Sequence, residues 1–421
     1  MRAMRTEPAR APTEEAQAES RNPLRAPGFA RWWLASLTAG VGVGIQAVTV
    51  PLFVRDRVGV DARAAAIAAA LMAATLPGVV LALVGGAVAD RVERRRILVR
   101  SYAVAALVSC VYVALANADV RSVWPVYPLA AVVGSAGAFT NPARSSMLPL
   151  LVSRAQLQNG VILGTTLGFV AANQLLGPSV AGLLADGFGL RVAFAAEVAL
   201  LIGAAVLFGG IRTGAPTPSG RSVIADLRDG VAYVRGEPVL RGLLLLSLVP
   251  GICFIGPFAV TIALVVPDVL HASDKWIGIL WGCFGGGVVA GSLLLAWKPF
   301  PRRGLAVCIA NVVGGLVLVA YSQSRSLGAS AAILVLWGMG ASVFMNYVNA
   351  LIQEHADPRM IGRVMSMYSL AFFVSMPAGH LQAGAMTSAF GPIACLLASG
   401  TFATAVGVAC LIGVRSVREL E

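Results

Sequence analysis

Residues 85–96 read GGAVADRVERRR, a stretch that ends in two acids and four arginines. It closes one apolar run over residues 64–89, and a second run follows over residues 97–116. Each run is long enough to cross a hydrocarbon core as a helix, which takes about 20 residues. An acid beside arginines at the membrane rim can form a charge network that holds neighbouring helices in one of two arrangements. The same loop also fits a basic segment that only sets the topology.

Similar apolar runs recur along the whole chain and predict twelve membrane-spanning helices. In the first half the predicted helices cover residues 29–54, 64–89, 97–116, 123–142, 158–184 and 191–211. In the second half they cover residues 242–267, 276–297, 304–321, 328–352, 363–387 and 392–414. Twelve crossings use about 250 residues, which leaves short loops and two tails in a chain of 421 residues.

The composition excludes a water-soluble globule. Hydrophobic residues make up 57% of the chain and charged residues 12%, whereas about one quarter of a soluble protein is charged. The net charge is +12, but the basic residues form short clusters between apolar runs, which argues against nucleic acid as a partner. All six cysteines lie in apolar stretches without CxxC spacing, so we expect packing roles, with no metal and no cofactor.

Basic residues also predict the orientation. With the N-terminus inside, 25 of the 32 fall in cytoplasmic segments and 7 in the opposite loops. The positive-inside rule therefore favours both termini in the cytoplasm, in a bacterial inner membrane. Residues 1–28 lack an apolar segment, so we expect a disordered cytoplasmic tail rather than a signal peptide, and residues 415–421 form a second short tail.

A linker and an internal repeat divide the chain into two halves, residues 29–211 and 242–414. The linker, residues 212–241, spaces Val223, Leu227 and Val231 at i, i+4 and i+8, which predicts a short amphipathic helix on the cytoplasmic surface. The segment GPSVAGLLADGFG (177–189) matches GHLQAGAMTSAFG (379–391) at an offset of 202 residues. Parallel repeats of this kind are one architecture of secondary transporters.

The GGAVADRVERRR loop resembles the loop motif of the major facilitator superfamily, in the subgroup similar to enterobactin and macrolide efflux proteins. Gly86, Asp90, Arg91, Arg94 and Arg95 match the motif, and an acid stands at the second glycine, as is common in that subgroup. The resemblance implies an all-α integral membrane protein of two six-helix halves. It also implies that the Asp and the arginines form a cytoplasmic charge network that stabilises the outward-facing state.

Three other segments resemble the same subgroup: residues 141–152 as its link between helices 4 and 5, residues 362–366 as its entry to helix 11, and the central linker. Predicted helix 5 is similar to the antiporter motif of the family, which accompanies export. The motif falls on Gly164, Asn173, Gly177, Pro178 and Gly182. Asn173 and Ala181 occupy positions where the family motif has glycine. Predicted helix 4 lacks the arginine that many drug and proton antiporters of the family carry.

Two residues are candidates for proton coupling. Glu197 is an acid well inside an apolar run, and charges there are costly enough to suggest a function. It lies about six residues from the end of its helix. The alternative to a coupling role is therefore that its side chain simply reaches water. His380 on helix 11 can titrate near physiological pH. The alternative is a histidine that only forms a hydrogen bond between two helices.

In the family, helices 1, 4, 7 and 10 line the substrate cavity. The resemblance therefore implies these contact residues: Gln46, Asn141, Phe254, Phe258, Asn346 and Asn349. Each could equally pack or bond between helices. Asn173 and Gln174 add polarity on helix 5, and Trp337 adds an aromatic ring on helix 10. A largely apolar cavity suits a lipophilic or amphiphilic small molecule.

These observations predict a monomeric, proton-coupled exporter of a drug, antibiotic or siderophore-like molecule, working by alternating access. A proton-coupled uptake symporter is the alternative, because only the partial helix 5 motif separates the two directions. A lipid transporter is a further possibility. A membrane-embedded enzyme would need clustered acids or histidines near the membrane surface, and neither DDxxD nor HExxH occurs.

Overall fold

The computed structural model describes residues 22–26, 28–89, 92–118, 120–153, 156–211, 223–413, 418 and 420. Most of the predicted tails, residues 212–222 of the linker, and Asp90 and Arg91 of the charge network lie outside the described residues. In the described part, ten helices are long and apolar enough to cross a membrane.

In the described part of the N-terminal half there are six long helical segments. They are α1 (Phe29–Arg55), α2 (Arg63–Ala89), α3 (Arg94–Asn117), α4 (Val126–Leu151), α5 and α6 (Leu190–Gly209). Helix α5 is composite, with Leu157–Val161, π-helical stretches at Ile162–Val170 and Ala172–Leu176, and Gly177–Phe188.

A linker helix (Val223–Gly236) lies within the predicted linker and precedes the C-terminal half. The helices that follow are α7 (Pro238–Asp268), α8 (Lys275–Trp297), α9 (Arg303–Gln323) and α10 (Leu327–His355). The last element, Ile361–Gly413, is interrupted at Gly391, and we treat residues 361–390 as α11 and residues 392–413 as α12. Helix α7 begins four residues earlier than expected. The number of membrane crossings stays a prediction.

Helix α4 corrects the sequence analysis. The prediction ended this helix at residue 142, with residues 141–152 as a link, but the helix continues to Leu151 and contains Arg144. The Arg144 guanidinium stacks over the Phe169 ring at 3.8 Å and donates to Asn141 Oδ1 at 3.1 Å. Helix α4 therefore does carry a basic residue, held inside the N-terminal half.

Helix ends define two ends of the bundle. The terminal end holds the α2–α3, α4–α5, α8–α9 and α10–α11 connections, and the distal end holds the α1–α2, α3–α4, α5–α6, α7–α8, α9–α10 and α11–α12 connections. At the distal end, Gly189 and Gly391 both have φ of 85°, a left-handed value that glycine adopts without strain. These two glycines are equivalent in the 202-residue repeat, and each makes the turn between its two helices.

The halves meet where α5 packs on α8 and where α2 packs on α11. A Cβ added to Gly182 would lie 2.6 Å from the Lys275 carbonyl oxygen, and one added to Gly278 would meet the Pro178 carbonyl. Small residues let helix backbones approach this closely. We call this contact, which continues through Gly282 and Gly285, the glycine seam. It joins the halves from the distal end to the middle of the bundle.

Candidate functional site

A cavity of about 280 Å³ lies next to the glycine seam. Its walls come mainly from α7, α8, α9, α10 and α11 of the C-terminal half, with contributions from α1 and α5. The cavity therefore lies against one half, and α4 contributes no wall in the described part of the chain. Of the helices 1, 4, 7 and 10 implied by the resemblance, α1, α7 and α10 line this cavity in the described part of the chain.

Aromatic rings form most of the cavity wall. The Phe258 ring centroid lies 5.1 Å from those of Trp281 and Trp337, and 6.1 Å from that of Phe284. The Phe284 and Trp337 centroids are 5.0 Å apart, and Phe254 packs edge-on to Trp337 at 5.9 Å. Rings at these distances and tilts stabilise one another, so the aromatic wall is a packed, preformed surface.

Three amides supply the polar side chains of the cavity: Asn173 and Gln174 on α5, and Asn311 on α9. Asn173 and Gln174 are half-buried. Asn311 is 1% exposed, and neither its Nδ2 nor its Oδ1 has a hydrogen-bond partner among the described residues. The cavity lining contains no charged side chain in the part of the chain that the structure describes.

The predicted contact residues divide into two groups. Phe254 and Phe258 line the cavity, while Gln46 is half-buried beside the lining residue Ala47. The other three amides lie outside the cavity: Asn141 accepts from Arg144, Asn346 is exposed and donates to Ser292 Oγ at 3.2 Å, and Asn349 bonds Gln353. The aromatic rings were thus better predictors of the cavity than the polar residues.

Sequence reasoning missed Trp281, Phe284 and Asn311 because α8 and α9 were not expected to face the cavity. Trp281 and Phe284 stand three residues apart, which places both on one helix face. That face was recognisable as aromatic, but the sequence did not show what it contacts. Gly282 and Gly285, which directly follow the two ring residues in the sequence, belong to the seam and bring the rings next to α5.

The antiporter-like motif of α5 has two packing partners. A Cβ at Gly164 would overlap the Trp32 ring, and one at Gly177 would lie 2.6 Å from Gly44 Cα, so both face α1 of the same half. Gly182 instead faces α8 across the seam. Pro178 stands at the start of the α-helical stretch that follows the π-helical segments. The motif therefore packs α5 between α1 and the other half, while Asn173 reaches the cavity.

Described residues of the terminal charge network bond within the N-terminal half. Arg94 donates to Ser146 on α4 at 2.9 Å, and Arg95 donates to the Gly209 carbonyl at the end of α6 at 3.3 Å. The acid that departs from the motif, Glu93, pairs with Arg95 and Arg96 at 3.0 Å each. We call Glu93, Arg95 and Arg96 the terminal cluster.

An ion pair that the sequence analysis did not predict joins the halves at the distal end. Both terminal nitrogens of Arg55, at the end of α1, bond the carboxylate oxygens of Asp274, which precedes α8, at 2.7 Å each. The Arg55 side chain is 10% exposed, and it also pairs with Asp56 of its own half at 2.8 Å. Two-pronged arginine–carboxylate pairs are strong and geometrically specific. We call Arg55 and Asp274 the distal latch.

Both coupling candidates are buried away from the cavity. Glu197 has no exposed surface, so it does not reach water as the alternative required, and it accepts from Ser109 Oγ on α3 at 2.6 Å. His380 is 2% exposed, and its Nδ1 lies 3.4 Å from Thr75 Oγ1 on α2. Glu197 thus lies inside one half, whereas His380 lies between the halves.

Comparison with known proteins shows which family and fold the chain is similar to. The sequence pattern of a family described as "Transmembrane secretion effector" matches residues 18–420. The chain is similar to macrolide efflux protein A of Streptococcus pyogenes, with 24% identity over 82% of this chain and 86% of that protein. It is similar to multidrug efflux pump Tap of Mycobacterium tuberculosis, with 27% identity over 95% and 96%. In fold it resembles the nucleoside transporter NupG, with a TM-score of 0.69, 13% identity, and coverage of 92% and 99%.

Proposed function

The chain belongs to the transmembrane secretion effector family, within the major facilitator superfamily, and from this membership we propose that it exports a lipophilic or amphiphilic small molecule by alternating access. Its relatives include proteins named macrolide and multidrug efflux pumps, so efflux is the direction we assign. Two halves that rock about a cavity between them are the general mechanism of such transporters.

The observation that carries the proposal is the uncharged, aromatic cavity beside the contact between the halves. Its wall offers rings and three amides, which suits an apolar molecule with a few polar groups. The glycine seam and the distal latch hold the halves together at the distal end. The cavity would therefore exchange with the terminal end in this conformation, and with the distal end once the latch and seam open.

We place the terminal end and both chain termini in the cytoplasm of a bacterial cell, and we propose a monomer in the inner membrane. The basic residues of the cytoplasmic loops support this orientation. The charge network of Asp90, Arg91, Arg94 and Arg95 would stabilise the outward-facing state only through contacts to the other half that form when the terminal end closes, because the bonds described for Arg94 and Arg95 lie within one half. In that state, the distal end would be open and the terminal end closed.

Protons are the proposed coupling ion. Of the two candidates, His380 has the better position, because it bonds Thr75 across the α2–α11 contact and its surroundings change when the halves move. Glu197, bonded to Ser109 in the N-terminal half, would respond only to changes within that half. We expect His380→Gln to lower proton-driven export more than Glu197→Gln does. The measurement is the amount of drug that everted vesicles accumulate.

Export is tested in cells that lack their own pumps and express the chain. We expect a panel of hydrophobic drugs to accumulate less in these cells, and a protonophore to restore accumulation. Phe258→Ala, which removes the central ring of the cavity, should reduce export about tenfold, since a bound molecule loses about 1.5 kcal/mol of apolar burial with that ring. Phe390→Ala, at a ring that is 73% exposed outside the cavity, should leave export unchanged.

The opposite direction has its own experiment. In right-side-out vesicles with an inward proton gradient, an uptake symporter would accumulate labelled solute and an exporter would not. Accumulation there, or export that ignores the protonophore, would contradict the proposed mechanism.

A further inference from the structure

Asn311 is the most deeply buried polar side chain in the cavity wall. It is 1% exposed, and both its donor and its acceptor lack hydrogen-bond partners in the described part of the protein. Buried polar groups in native proteins are nearly always bonded, because an unpaired amide in an apolar interior is costly. Asn311 is part of the cavity wall, but its two amide atoms have almost no exposed surface, so a bound molecule can satisfy them once the side chain rotates toward the cavity.

Helix packing fixes the direction in which Asn311 faces. A Cβ at Gly315 would lie 2.5 Å from the Gly400 carbonyl oxygen, and one at Gly407 would lie 2.8 Å from the Val312 nitrogen. These contacts press one face of α9 against α12, backbone to backbone. Asn311 lies one turn from Gly315 and three residues from Gly314, at the border between this contact and the face of α9 that lines the cavity.

The surroundings of Asn311 are aromatic. A Cβ at Gly314 would lie 3.2 Å from Phe254 Cζ and 3.7 Å from Trp337 Nε1, so the missing side chain leaves both rings open to the cavity. A cation would enter without a counter-charge, because the described lining contains no acid, and losing its water there would be costly. Aromatic rings attract cations as well as other rings, but with no acid in the described lining to neutralise a cation we take a neutral molecule with an aromatic face as the ligand.

The size of the cavity limits what can occupy it. Its volume of about 280 Å³ is at the lower limit of ligand sites, which measure about 300–1,000 Å³. A fused aromatic system fits this space, and a whole macrocycle does not.

We propose that the cavity is a binding site for a neutral fused-ring aromatic molecule that carries an amide, and that Asn311 hydrogen-bonds this amide. The rings lie against Phe258, Phe284 and Trp337. The inference rests on the proposed export function for its physiological meaning, but binding is measurable without transport. It makes α9 a contributor to specificity, through a residue of the C-terminal half.

The test uses the full-length protein in lipid nanodiscs and two probes of matched size. The first probe, 2-naphthamide, carries both a donor and an acceptor, whereas 2-methylnaphthalene carries neither. Binding is followed by quenching of tryptophan fluorescence, since Trp281 and Trp337 line the cavity, and empty nanodiscs correct for partition into lipid. The variant is Asn311→Leu, which keeps the approximate volume and removes the hydrogen bonds. The control is Ser322→Ala, which deletes a buried hydroxyl elsewhere on α9.

We expect wild-type protein to prefer 2-naphthamide. Asn311→Leu should weaken its binding about tenfold, the effect of losing a net hydrogen bond, and should leave 2-methylnaphthalene within about twofold. Ser322→Ala should change neither. Asn311→Leu should also unfold at the same or a higher temperature, because an apolar group replaces an unpaired amide.

Several results would overturn the assignment. These are no binding to wild-type protein, equal binding of the two probes, and equal weakening of both by Asn311→Leu. A lower unfolding temperature, or failure of Asn311→Leu to fold, would show that the amide has a structural partner and would also overturn it. Selective binding in nanodiscs without drug export in cells would instead contradict the proposed function and leave the binding site in place.

Discussion

The two ends of the bundle hold their charges in different ways. At the distal end, Arg55 and Asp274 belong to different halves and bond at 2.7 Å. At the terminal end, Glu93 of the terminal cluster pairs within the N-terminal half, and Arg303 pairs with Glu354 within the C-terminal half. When the halves separate at the distal end, the distal latch must break, whereas these terminal pairs can move with their own half.

This difference separates charges that control opening from charges that support one half. A pair between halves stabilises one conformation relative to another, because only one conformation contains it. A pair within a half contributes equally to both conformations and shifts nothing. In the described residues, the distal latch is of the first kind and the terminal cluster is of the second.

The largest expected effect is at the glycine seam, which closes the distal end together with the latch. In Gly278→Ala, the new methyl group would overlap the Pro178 carbonyl. Overpacking costs up to about 3 kcal/mol, so we expect a clear fall in the thermal unfolding midpoint and loss of export. The matched control is Gly286→Ala on the same helix, whose Cβ would meet only Leu175 Cδ1 at 3.7 Å. Equal stability of the two variants would contradict the seam as described.

The second effect is on the latch itself. Asp274→Asn removes the charge that pairs Arg55 across the halves, and Asp56→Asn removes a charge that pairs Arg55 within one half. Because the Asp274 side chain is 30% exposed, we expect a loss of about 2 kcal/mol, between the values for exposed and buried pairs. This loss would favour opening of the distal end.

Spin labels on Val60 and Asp268, one exposed residue from each half at the distal end, measure that opening. Asp274→Asn should enlarge the population with a long distance between the labels, and Asp56→Asn should not. If both variants open the distal end to the same extent, the total charge around Arg55 holds that end closed, and the pair between the halves does not. That result would contradict the distal latch.

The smallest effect is expected at the terminal cluster. Glu93→Gln removes the partner of Arg95 and Arg96, but both pairs lie within the N-terminal half. Partly exposed pairs contribute up to about 1 kcal/mol each, so the unfolding midpoint should fall slightly. The label distance at the distal end should stay as in wild-type protein, and a shift in that distance would show that the cluster acts between the halves.

Most of the helices were predictable from the sequence, because long apolar runs can be recognised without knowing what they contact. Helix α4 was the exception. Its prediction stopped before Arg144, since a charge commonly ends a membrane helix, yet Phe169 and Asn141 hold that guanidinium inside the protein. The partners that make a buried arginine tolerable come from the fold and cannot be read from the run itself.

The cavity was only partly predictable. Phe254 and Phe258 followed from the resemblance, but Asn311 and Trp281 did not, because the face that a helix turns inward depends on its packing against other helices. The distal latch joins residues 219 positions apart, and no local pattern relates them. The repeat pairs Gly189 with Gly391, and the two residues share the same left-handed backbone, because each half needs the same turn.

The glycine seam has a consequence for how the two halves recognise each other. Gly182 and Gly278 bring main chain against main chain, and main-chain atoms are the same in every protein. The seam therefore demands small residues and carries almost no information about which partner half it meets. We expect an N-terminal half of this chain to assemble with the C-terminal half of a distant relative that keeps the glycines, so that recombination between transporter genes can exchange whole halves.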